Sequence, residues 1–226
     1  MSRHLLLQYV KLTEFLGHAL GPDYEVALHD LTDKNRSIIA IANNHVSGRE
    51  VGAPLTNVAL KILMDKSYEN VDYRLHYNGL TAEGKKLRTS TFFIKNGSSL
   101  IGMLCINFDD SRYKEINENI LQLCHPNAFV ETNFRTNEPM ILKNQEFVEE
   151  NLYKSIDAMA TDAITSALHS MDIEGKRLTH EEKIDVVRKL EEEGIFLLKG
   201  AVKEVAAALD CSQATIYRYI SQVKHS

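Results

Sequence analysis

The stretch KGAVKEVAAALDCSQATIYRYI, residues 199–220, decides how the C-terminal part of this chain is read. Two helices that meet at a wide angle need a small residue where their backbones approach, apolar residues facing inward from both, and a tight turn between them. Ala206 supplies the small residue, Val205, Leu209, Cys211, Ile216 and Tyr219 the inward set, and Ser212 an N-cap for the second helix. Asp210 stands where such turns commonly carry glycine, and Asp is among the few other residues that tolerate a left-handed backbone. The spacing therefore predicts a helix-turn-helix within Val202 to Val223.

On the second of these helices Ala214, Tyr217, Arg218 and Ser221 fall at i, i+3, i+4 and i+7, away from the side of Ile216, Ile220 and Val223. Gln213 and Thr215 lie near its N-terminus. Such a face suits the major groove of double-stranded DNA, where Arg reads guanine, Gln reads adenine and hydroxyls hold phosphates. The bland alternative is that two short Ala-rich helices serve protein contacts, as in an interaction or signalling module without DNA binding.

Upstream, Thr179 and Glu182 have the spacing of a capping box, so a helix is expected from His180 to about Glu193, with Gly194 as its left-handed C-terminal residue. Another helical region is expected from Gln145, with Val148, Leu152, Ile156, Met159, Ala163 and Leu168 along one side.

The N-terminal half reads differently. Leu5, Tyr9, Leu12, Leu16 and Leu20 recur at helical steps until Gly21-Pro22. Two strands are expected over 24–31 and 37–44, joined by the turn-forming cluster Thr32-Asp33-Lys34-Asn35. Pro54 suits the first turn of a helix carrying Val58, Ile62 and Leu63. Three more strands are expected over 73–80, 87–94 and 100–108, the last two joined at Asn96-Gly97. From Asp109 to about Asn144 no apolar periodicity persists. The expected organisation is a sensor-like domain over 1–115, a linker over 116–144 and a helical region with the helix-turn-helix over 145–226. Because residues 1–113 hold all five expected strands, that region is expected to fold alone.

Bulk properties narrow the class. The 226 residues carry a formal charge of -5, and 44% are hydrophobic, as in a globular protein. From Lys176 to the end there are nine Lys/Arg against eight Asp/Glu, so this part is less acidic than the rest without being basic. A helix-turn-helix of charge about +1 with one recognition helix reads few base pairs, so DNA binding is expected to need a homodimer or higher homo-oligomer. The N-terminus is too polar for a signal peptide and no stretch suits a membrane span, so a cytoplasmic protein without a membrane partner is expected. Cys105, Cys124 and Cys211 are far apart and show no zinc or disulfide spacing.

Beside these readings, the chain resembles the YheO-like (DauR-type) bacterial transcriptional regulators. The likeness is carried by residues 41–56 (IANNHVSGREVGAPLT), by Ser90-Thr91-Phe92-Phe93-Ile94 and residues 101–107 in the strands, and by Ala206 to Ile220. It implies an α+β protein: a PAS-like five-stranded antiparallel sheet with helices, followed by an all-α helix-turn-helix domain. A cavity between sheet and helices, and hence a small-molecule effector, is what the resemblance suggests.

Polar groups on an inward strand face could orient such an effector; His29, Ser90, Cys105 and Asn107 are the candidates, although for each the ordinary satisfied polar group is the favoured reading. Strand alternation places Arg88, Ser90 and Phe92 on one face and Thr89, Thr91 and Phe93 on the other, without saying which is inward. The Gly48-Arg49-Glu50-Val51-Gly52 run lacks the context of a nucleotide loop and reads as a tight structural turn. His29, His45 and His76 with Asp30 match no metal motif. No catalytic constellation has a local signature, so no enzyme, cofactor or metal site is expected.

Overall fold

A computed structural model describes residues 2–125, 130, 149–171 and 178–224. Its centre is a sheet of order β2-β1-β5-β4-β3-β6. The strands are β1 (Tyr24–Asp30), β2 (Ile38–Ala42), β3 (Tyr73–Thr81), β4 (Lys86–Asn96), β5 (Ser99–Phe108) and β6 (Glu150–Leu152). The first five are antiparallel, as expected, and β4 turns into β5 at Gly97, whose φ of 61° a hairpin of this kind requires. The sixth strand was not expected. It comes from the chain beyond the expected linker and pairs parallel with β3, Gly79 opposite Glu150 and Thr81 opposite Leu152. Leu152, read as part of a helical stripe, is therefore a strand residue; the start of that stripe at Gln145 and Val148 lies outside the described residues.

The helix α1 (Ser2–Leu20) lies on one sheet face, where Leu6, Tyr9, Val10 and Leu16 pack on Val26, Leu28, Ile94 and Leu104. Its buried side is rotated from the one periodicity selected, since Leu12 and Leu20 are exposed while Thr13 and Gly17 are buried. The reason is a close approach: a Cβ on Gly17 would stand 2.3 Å from that of Ala42. Contact there brings Thr13 inward, and its hydroxyl donates to the Tyr9 carbonyl at 2.8 Å.

The helix α2 (Asn57–Asp65) starts later than Pro54 suggested. Thr56 is its cap, accepting from the Ala59 N–H at 3.2 Å. The helix α3 (Ser111–Cys124) crosses the expected start of the linker at 116 and buries none of its residues. Of the rest of that linker, only Cys124, His125 and Val130 beyond this helix's interior are described.

Four further helices follow: α4 (Ile156–Ser170), α5 (His180–Glu192), α6 (Ala201–Ala208) and α7 (Gln213–Lys224). They pack against the second sheet face through a shared apolar cluster. It runs from Phe93, Met103 and Tyr77 of the sheet, through Val58, Leu60 and Ile62 of α2, to Met159, Leu190, Val205 and Ile216. The helix-turn-helix and the sheet thus share one core.

Candidate nucleic-acid interface and sensor face

The turn between α6 and α7 is built as its residue types require. Asp210 has φ 48°, the left-handed conformation expected of it. The Cys211 N–H donates to the Ala206 carbonyl at 2.9 Å, closing the turn over the small residue. Ser212 caps α7, its Oγ accepting from the Thr215 N–H at 3.1 Å. From α5, Lys183 reaches the Asp210 carbonyl at 3.4 Å, and the His180 ring meets Tyr219 edge-on at 5.2 Å between centroids. The capping box is present, Thr179 N–H donating to Glu182 at 2.7 Å, and Gly194 has φ 76°.

Burial sorts α7 into two sides. Ile216 and Tyr219 are buried against α6 and α5, with Val205, Ala206 and Leu209 opposite them. Gln213, Ala214, Tyr217, Arg218 and Ser221 are exposed on the other side. Thr215 is half-buried, its hydroxyl 2.9 Å from that of Ser212. Arg218 lies 5.6 Å from the Tyr219 ring centroid, which steadies the guanidinium without covering it.

The sheet's second face carries a row of polar residues. Glu25, Asn107, Thr89 and Tyr77 are successive cross-strand neighbours on β1, β5, β4 and β3, and Glu150 on β6 lies in the adjacent row, opposite Gly79. Ala27, Cys105 and Thr91 form the next row, and His29, Met103 and Phe93 the one after. Three of the four effector candidates, His29, Cys105 and Asn107, therefore share this face. Ser90 pairs with Ile106 on the opposite face, beside Tyr73 and Phe92, so the structure separates it from the others.

These groups are sealed and mostly partnered. Glu25 accepts from Asn107 at 2.8 Å and from the Ser47 hydroxyl at 2.5 Å, yet burial pushes its pKa up. Arg49 is 2% exposed, its Nε donating to the Tyr153 carbonyl at 3.1 Å and another nitrogen to that of Pro54. Glu150 accepts from Thr56 at 2.5 Å; burial raises its pKa too, and Arg49 counters both shifts. The Ser37 hydroxyl donates to the Ala53 carbonyl and so accepts from His29 Nδ1–H at 2.9 Å. Burial drives the His29 pKa well below its ordinary value and the Cys105 thiol up to about 12, so both are neutral near pH 7. Thr89 Oγ1, Asn107 Oδ1 and Glu150 Oε2 have no hydrogen-bond partner among the described residues.

The burial of Glu25, Arg49, Thr89 and Glu150 on this face was not legible in the sequence. Arg49 sits in the glycine-flanked run read as a structural turn; Gly48 and Gly52 do have positive φ, but of the three residues between them Arg49 goes inward. His29, His45 and His76 do not assemble with Asp30, and among the described residues no three potential ligands could hold a metal ion. No described helix is long and apolar enough to cross a membrane.

A PAS-like sheet sharing a core with a helix-turn-helix defines a class of two-unit α+β protein. Residues 1–125 match the model of the YheO-like PAS domain and residues 159–221 that of an HTH domain, and the chain belongs to the YheO-like PAS domain family. It is 27% identical over 222 residues to the uncharacterized protein YheO of Escherichia coli (strain K12), covering 97% of this chain and 85% of that one. It is 28% identical over 223 residues to an uncharacterized protein of Haemophilus influenzae, covering 97% and 91%. The transcriptional regulator DauR of Pseudomonas aeruginosa is 25% identical over 222 residues, covering 97% and 94%.

Proposed function

We propose that this protein is a DNA-binding transcriptional regulator that reads DNA with α7, responds to a small molecule through its PAS-like unit, and acts as a homodimer or higher homo-oligomer. The observation that carries the reading is the two-sided construction of α7, whose apolar side is buried and whose polar side is presented to solvent. Gln213, Ala214, Thr215, Tyr217, Arg218 and Ser221 are the proposed contacts. Relatedness to a regulator along nearly the whole chain supports the same reading.

The effector reading rests on the family and on the polar inner face. His29, Cys105 and Asn107 are each less than a tenth exposed, so they could meet a ligand only if the groups packed on this face moved aside. The proposal is tested by selecting bound fragments from sheared genomic DNA, then measuring affinity for the enriched fragment against salt. A steep loss of affinity with salt, together with one enriched sequence, is expected. Retention of no fragment by the full chain overturns it.

A further inference from the structure

Between the two units lies a cleft of about 220 Å³, whose walls include Val58 and Lys61 of α2, Tyr153 after β6, Asp162 of α4, and Glu193 and Ile195 at the end of α5. We propose that this cleft binds a small organic cation with an apolar body, an alkylammonium, and that the bound cation ties the sensor unit to the helix-turn-helix unit. The inference rests on the regulator reading above and gives an effector a second place, apart from the inner sheet face, and a chemical class.

Three observations converge on a cation. First, Glu193 is half-buried, and while its backbone N–H donates to the Lys189 carbonyl at 3.0 Å, its side-chain carboxylate has no hydrogen bond or ion pair within 4 Å among the described residues. Second, it caps the C-terminus of α5 behind Glu191 and Glu192, where the helix dipole disfavours anions. Of those neighbours, Glu191 is paired with Lys224 at 3.0 Å. Third, Asp162 shares the lining with Glu193; burial first, and then the charges of Asp162 and Glu192, push the Glu193 carboxyl upward, and Lys189 and Lys61 offset this only in part. Asp162 accepts from the Tyr153 hydroxyl and from Asn151, so it is already held in place. Lys61 is the one cation in the lining and leaves the cleft net negative. Val58 and Ile195, both almost fully buried, give the cleft an apolar floor.

The position supplies the regulatory consequence. α2 belongs to the region matched by the PAS model, while α4 and α5 belong to the region matched by the HTH model. An occupant touching both walls stabilises their present docking, and by linkage its binding changes DNA affinity wherever DNA favours another docking.

The test uses the full chain without DNA and three probes of one size: n-butylammonium, butyrate and n-butanol. A saturable rise in Tm with millimolar butylammonium is expected, with no comparable rise from the other two. Glu193→Gln should weaken butylammonium binding roughly tenfold, the loss of one charge-assisted hydrogen bond. Ser166→Phe, a change on the exposed side of the lining, should block binding by filling the mouth. No rise, an equal rise with butyrate or butanol, or unchanged binding in both variants overturns the proposal. DNA retention is measured separately: DNA binding without a butylammonium effect sinks the cleft alone, and loss of DNA binding with the effect intact sinks the regulator reading alone.

Discussion

Thr56 Oγ1 donates to Glu150 Oε1 at 2.5 Å across 94 positions of sequence, and the same oxygen accepts from the Ala59 N–H. One hydroxyl therefore caps α2 and holds the buried carboxylate of β6. Thr56→Ala should remove both at once, about 1 kcal/mol for the cap and about 1–3 kcal/mol for the stranded carboxylate. Urea denaturation of the full chain measures the sum, and Thr56→Ser should recover most of it. An alanine variant as stable as the parent would show that neither bond matters.

The shared core sets a second expectation. A chain ending at residue 125 loses β6 and exposes Val58, Leu60 and Met103, which the complete protein buries. Calorimetry should find its transition well below that of the full chain, or absent. Equal melting temperatures would restore the simpler expectation that the N-terminal region folds independently.

DNA contact by Arg218 separates two roles. Arg218→Ala should leave Tm unchanged, because the side chain is exposed. If Arg218 reads a base, affinity for the selected fragment falls by about 1–3 kcal/mol and one operator position relaxes; if it holds phosphate, the salt slope shrinks by about one. Ile216→Ala is the contrast, since Ile216 is fully buried and its truncation should cost roughly 2–5 kcal/mol of stability. Unaltered affinity and salt dependence in Arg218→Ala would remove that residue from the interface.

Acid should act through His29. Burial first, and then the Arg49 charge, keep its folded pKa well below 6.5. Below pH 6.5 the unfolded chain takes up a proton that the folded imidazole refuses. The stability tied to neutral His29 is thus complete above that pH and lost as pH falls toward the folded value. Glu25 and Glu150, with raised folded values, slope the other way above 4.5, so the parent must be compared with His29→Gln. The parent should lose stability more steeply on acidification below pH 6.5, by at most about 1.4 kcal/mol per pH unit. Parallel curves would count against a neutral buried His29.

The sequence by itself determined the local pieces. Asp210, Ser212 and Ala206 specify the turn into α7, Thr179 and Glu182 the start of α5, and Asn96-Gly97 the β4–β5 hairpin, because each depends on residues within a few positions of one another. Strand alternation likewise separated Ser90 from Thr89 and Thr91, since side chains along a strand point to opposite faces whatever lies above them. Only the tertiary structure decided which face was inward, because that depends on what covers the sheet. It also decided that Leu152 belongs to a parallel edge strand, that Arg49 goes inward near Glu25 and Glu150, and that Glu193 and Lys61 line one cleft. Those relationships join residues dozens of positions apart, and a buried charge is stabilised by partners that no local pattern records.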